Sequence, residues 1–153
     1  MKAVLAAAAI ALAGPAAFAQ ATWQPVMPAL GIGSATCFDP DEPAGIVCGA
    51  LLCDRSALSF GFMGLEMGEA PSLRVGTIEV DGVPAERQMH SRLLAGVLLQ
   101  VLTPITPVDP LYRRLASGNK VRITVGDPLK SYDFDLDGAA TEFPRVADAC
   151  LGR

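Results

Sequence analysis

Lys120-Val121-Arg122-Ile123-Thr124-Val125, then Gly126-Asp127-Pro128, then Tyr132-Asp133-Phe134-Asp135-Leu136-Asp137 is the stretch that decides the fold. Val121, Ile123 and Val125 alternate with Lys120, Arg122 and Thr124, the period of two expected of a strand with one buried face. Gly126-Asp127-Pro128 turns the chain, because Gly and Pro punctuate regular structure. Tyr132, Phe134 and Leu136 then repeat the alternation against Asp133, Asp135 and Asp137. Folded back as an antiparallel hairpin, the two segments set basic residues opposite aspartates in either plausible register. Exposed pairs of this kind contribute little, so the charges mark a solvent face and not a site. The aspartate row also lacks the glycine and distal glutamate of a calcium loop.

Working outward, Asp137 is a candidate N-cap for a terminal helix whose apolar face carries Phe143, Val146 and Cys150. Pro144 inside that stretch predicts a kink or a later helix start. Upstream, Asp109 and Pro110 suit a helix beginning and Gly118 its end, with Leu111 and Leu115 on one face and Arg113 and Arg114 turned away. Further upstream, Ile78 and Val80 alternate into an Asp81-Gly82 turn. Leu58, Phe60 and Phe62 alternate likewise, and Gly64, Gly68 and Pro71 are expected to end that strand. Residues 35–53 make a candidate hairpin around the turn Asp39 to Gly45, its second strand the apolar run Ile46 to Cys53. Leu93 to Leu102 fits a strand buried on two faces or a short helix, and a strand over Val97 to Leu102 is the expectation. Thr22 to Gly33 reads as an irregular lead-in.

The N-terminus has one charge at Lys2, the apolar run Ala3 to Ala13, Gly14-Pro15 and an A-x-A site at Ala17-Phe18-Ala19. These are the parts of a secretory signal peptide, residues 1–19, with cleavage before Gln20. The run is shorter than the ~20 apolar residues that cross a bilayer, so a membrane span is not expected. Residues 20–153 then form a single exported domain. Removing Lys2 leaves eleven basic and sixteen acidic residues, a net charge of −5 that argues against a nucleic-acid partner.

An even cysteine count in an exported domain reads as disulfides. Cys48 and Cys53 lie five apart in one expected strand and face opposite ways, so they do not readily bond to each other. Cys37–Cys48 across the hairpin turn with Cys53–Cys150 is the preferred pairing, and Cys37–Cys53 with Cys48–Cys150 is its competitor. Zinc lacks its C-x2-C spacing, and the single histidine, His90, is distant.

No catalytic set is legible. His90 has Ser91 beside it, but neighbours in a strand face opposite ways, and a working base needs a positioned nucleophile and orienter. Gly31-Ile32-Gly33 is only a fragment of a dinucleotide fingerprint. Met63, Met67 and Met89 lack the spacing of a copper site and read as packing. The chain is therefore read as not an enzyme and without a cofactor or metal.

A signal peptide, Trp23, a C-x10-C-x4-C run from Cys37 to Cys53, a helix end at Leu115 to Gly118 before a hairpin, and a terminal helix ending in Cys150 together resemble the invasion-associated locus B family. The resemblance implies a small periplasmic β-sandwich protein, non-enzymatic, with a host- or stress-related role.

The expected fold is mainly β, a single-domain β-sandwich or partly open barrel of about six or seven strands, with two short helices, the C-terminal one disulfide-pinned. The expected function is a non-catalytic periplasmic binding or interaction protein of the cell envelope, its partner another envelope protein. The alternative is an inhibitor of an envelope hydrolase such as lysozyme, inserting the loop Phe62 to Ala70 with Phe62, Glu66 and Glu69 as contacts.

Overall fold

The alternating stretch folds as its periodicity demands. In this computed structural model, residues 22–38, 47–65, 73–94, 97–126 and 129–153 are described. The expected signal peptide and the 39–45 turn lie outside them. The strands are β1 Gln24–Pro25, β2 Gly33–Phe38, β3 Val47–Asp54, β4 Ala57–Leu65, β5 Leu73–Val80, β6 Val83–Leu94, β7 Leu98–Ile105, β8 Lys120–Val125 and β9 Lys130–Asp135. Among the described residues two helices complete the set, α1 Pro110–Ser117 and α2 Ala139–Leu151. β8 and β9 pair with Lys120 opposite Asp135 and Arg122 opposite Asp133, and Arg122 Nε donates to Asp133 at 2.7 Å.

All nine strands join one antiparallel sheet in the order β1-β2-β3-β4-β7-β6-β5-β8-β9. β5, β6 and β7 are a meander, and β8 returns through α1 to lie beside β5, which is a Greek key. The sheet is strongly curled. β4 and β9 are five strand steps apart, about 24 Å if flat, yet the Phe62 and Tyr132 rings lie 4.7 Å apart. A Cβ on Gly49 of β3 would sit 3.0 Å from the Phe134 ring of β9. Trp23 bridges the remaining gap, its N–H and Nε1 donating to the carbonyls of Asp137 and Asp135 at 3.0 and 2.9 Å. The result is a partly open barrel, mainly β, with both helices against its core.

Inside lie Leu51, Phe60, Phe62, Ile78, Met89, Ile123 and Phe134, with Leu111 and Leu115 from α1 and Phe143 and Val146 from α2. Phe143 meets Trp23 edge-on at 4.8 Å and lies 6.1 Å from Phe60. Cys37 and Cys48 are direct cross-strand partners and are bonded, as are Cys53 and Cys150. The competing pairing fails because Cys53 faces this core and Cys48 faces a second apolar cluster on the other side of the sheet.

Several local expectations are corrected. The sheet has nine strands because β6 carries Glu86, Gln88 and His90 on its outer face and the half-buried Arg87 on its inner one, which hides its periodicity. Arg87 pairs with Asp109 at 2.9 Å, and Asp109 also accepts the Leu111 N–H as the α1 N-cap. β7 runs past its expected end through Pro104, whose only ladder partner is Ser59, since the β6 ladder stops at Leu102. Gly64 does not break β4, which continues to Leu65. Gly118 follows α1 with φ −83°, and crowding explains it: a Cβ would meet Val80 and the Arg114 carbonyl, each at 2.7 Å. Arg114 itself is half-buried, not turned away. The N-cap of α2 is Gly138 at φ 82°, while Asp137 gives its carbonyl to Trp23. Pro144 stands inside α2, and the Ala140 carbonyl it leaves unbonded belongs to an exposed residue that water can reach.

Candidate apolar groove

Directly opposed residues of an antiparallel ladder share a face of the sheet. One outward row runs Cys37, Cys48, Met63, Gln100, Arg92 across β2, β3, β4, β7 and β6. The next runs Ala35, Ala50, Gly61, Leu102, His90. Apart from Gln100, these two rows are apolar across β2-β3-β4-β7, and Cys48, Ala50, Leu52, Met63 and Leu102 form the second buried cluster there. β3 is buried on both faces from Val47 to Leu52, and β7 from Leu99 to Thr103.

Such a face needs a second layer, and the N-terminal segment supplies part of one. The segment crosses β2, with Val26 and Leu30 packed on the cluster. It is held by β1, by Val26 N–H donating to the Gly33 carbonyl at 3.2 Å, and by a single 3-10 turn over Pro28–Leu30. Between this cover and the sheet a groove of about 470 Å3 remains. Its sheet side is Ala35, the Cys37–Cys48 disulfide, Met63 and Leu98, and its cover side includes Thr22, Gln24, Val26, Met27 and Leu30. Among the described residues that line it, none is charged. Met27 stands 69% exposed at the rim, and Leu94, in register with Leu98, extends the apolar surface onto β6.

Along one diagonal the face also bends inward. Arg92 lies three strands across and six residues along from Asp54, roughly 14 Å by 20 Å on a flat sheet. Its guanidinium nevertheless reaches Asp54 at 2.9 Å while its Nε donates to Gln100 at 2.7 Å. Sheet twist accounts for this by folding opposite corners toward each other on one side.

The other residues singled out by sequence fall elsewhere. Phe62 is 1% exposed and faces the core, so the inserting loop drawn from it begins inside β4, and Glu66 and Glu69 lie outside the described residues. His90 is exposed on the outer face, and no cluster of three metal-ligating His, Cys, Asp or Glu exists among the described residues. Met63 and Met89 sit on opposite faces of the sheet, so they cannot share an ion. A second hollow of about 330 Å3 over β5, β8 and β9 holds Glu79, Asp81, Lys120, Arg122 and Asp133. Arg122 and Asp133 pair with each other there, and Asp81 is held by backbone amides. The hydrogen bond from Arg122 holds the Asp133 carboxyl below its usual value, and the Asn119 and Lys120 amides do the same for Asp81. The groove is not legible in sequence because its lining is assembled from β2, β3, β4, β7 and a lead-in without periodicity. The one signal that points to it is the two-faced apolarity of β3 and β7.

Among the described residues no helix is long and apolar enough to cross a membrane. Comparison with protein-family models, curated proteins and solved structures finds no match.

Proposed function

We propose that the chain is a non-catalytic binding protein of the cell envelope, working in the periplasm, and that it binds through the groove between residues 22–31 and the outer face of β2-β3-β4-β7. The observation that carries this reading is the groove of about 470 Å3, without charge among its described lining residues, on a face that a single-layer sheet ordinarily gives to water. Its volume falls within the ~300–1,000 Å3 of small-molecule sites. Both disulfides suit an oxidising compartment, and the secretory N-terminus and the resemblance to the invasion-associated locus B family agree with it. The hydrolase-inhibitor alternative gains nothing, because its leading contact, Phe62, is core.

Two measurements test the proposal. The chain expressed with residues 1–19 should appear in the periplasmic fraction shortened by them. The purified protein should enhance the fluorescence of an apolar dye at one site, and Leu98→Lys should abolish that enhancement without loss of either disulfide. Dye binding that Leu98→Lys leaves unchanged refutes the groove as the binding surface.

A further inference from the structure

The groove's chemistry narrows what it holds, and this step rests on the binding reading above. Two of its described lining residues, Met27 and Met63, carry thioethers, and the Cys37–Cys48 disulfide also lines it. Thioethers are polarizable and adapt to irregular apolar shapes, so they favour flexible chains over one rigid outline. Two lining residues, Thr22 and Gln24, offer neutral polar side chains, and both come from the same end of the cover. The chain as a whole is acidic, at −4. An anionic head would meet no compensating cation among the described lining residues and a repulsive field outside the groove.

We infer that the groove takes one uncharged single-chain amphiphile, its alkyl chain along Ala35, Cys48, Met63 and Leu98 and its hydroxylated head at Thr22 and Gln24. At ~30 Å3 per water-sized group, the groove holds about sixteen such groups, the size of a medium-length acyl chain. Arg92 stays outside this set, since Gln100 and Asp54 hold it. The occupant is a free molecule and not a bilayer surface, because the groove lies between the residue 22–31 cover and the sheet.

The experiment titrates the protein beginning at Gln20, both disulfides formed, with monomeric monoacylglycerols of ten, twelve and fourteen carbons below their aggregation concentrations. The expected result is one bound equivalent, with affinity rising up to about fourfold per added methylene. Leu98→Lys and the rim variant Met27→Glu should each weaken binding at least tenfold, and the fatty acid of equal length should bind more weakly than the neutral lipid. Met27 is exposed enough for its variant to fold, so a failure of Leu98→Lys to fold leaves the test intact.

Affinity independent of chain length, fatty acid bound as tightly as the neutral lipid, or uptake only from vesicles overturns the inference. So does a dimer in solution that Leu98→Lys dissociates and the lipid does not, which would make a second copy the occupant. If the apolar dye remains sensitive to Leu98→Lys while no lipid binds, the lipid assignment falls and the binding reading stands. If the dye is insensitive too, both fall.

Discussion

Removing the Cys53–Cys150 disulfide should cost more stability than removing Cys37–Cys48, and by a calculable margin. The two bonds close loops of very different length, with sequence separations of 97 and 11. If a cross-link acts by restricting the unfolded chain, the longer loop contributes ~4.7 kcal/mol and the shorter ~2.8 kcal/mol. The native environments widen the gap, because Cys150 is buried against the main core and Cys37 is exposed. With a urea dependence of about 2 kcal/mol per molar, Cys53→Ala/Cys150→Ala should unfold about 2.4 M earlier than the parent protein and Cys37→Ala/Cys48→Ala about 1.4 M earlier. Equilibrium urea unfolding followed by far-ultraviolet circular dichroism measures both. Amide exchange should meanwhile quicken across α2 in the first variant only, since Phe143, Val146 and Ala147 would hold the helix without its covalent tie. Equal midpoints or a reversed order would refute the reasoning. Either result would mean that the unfolded chain stays compact around residues 53–150, or that α2 docks without help from the bond.

Phe143→Ala should destabilise by about 3–5 kcal/mol, read from the same unfolding curves, because the ring is fully buried among Trp23, Phe60 and Tyr112. Gly61→Ala should cost at least as much as ordinary overpacking, ~1–3 kcal/mol, since a Cβ there would strike the Val101 carbonyl of β7 and no side-chain motion relieves it. A wild-type midpoint in that variant would show that β4 and β7 are less closely apposed. The hydrogen bond from Arg145 lowers the pKa of Glu142 from its usual 4.5, so the stabilisation it brings is full above that pH and lost as acid protonates the folded carboxylate. Stability should therefore fall more steeply below about pH 4.5 in the parent than in Arg145→Ala, compared by urea midpoints at pH 6 and pH 3. Parallel pH profiles would remove Arg145 from that role.

The elements legible in sequence are those whose two sides differ. β8 and β9 alternate cleanly because one face meets the core and the other meets water. Cys150 reads correctly as a core-facing residue because α2 buries a single stripe. β6 is hidden because Arg87, at the mouth of the barrel, satisfies its charge on the α1 cap and so occupies an inward position that usually marks apolar residues. The α2 cap is ambiguous because Asp137 and Gly138 both suit the position, and only the approach of Trp23 decides which carbonyl is needed elsewhere. Curvature is invisible for a different reason. The contacts that report it, Phe62 with Tyr132 and Gly49 with Phe134, join residues about seventy to eighty-five apart, and no local pattern encodes them.

The outer surface of the curled sheet changes character across β6, and that change sets where the proposed binding surface ends. On one side, the rows Glu79-Arg122-Asp133 and Thr77-Thr124-Ser131 are polar, and the hydroxyls of Thr124 and Ser131 lie 2.8 Å apart. These strands need no second layer, because water satisfies their outer side chains. On the other side, the row Ala35-Ala50-Gly61-Leu102 offers water nothing to bond. A ten-residue segment anchored by two ladder positions covers only part of it. His90 and Arg92 stand on the border strand, and under the binding proposal His90 marks the edge of the surface. His90→Ala should leave folding unaltered and change lipid affinity by less than threefold, whereas Leu102→Lys, twelve residues on and directly opposite it, should unfold the protein. A buried position such as Leu102 does not tolerate charge, whereas the exposed rows across β5, β8 and β9 already carry it.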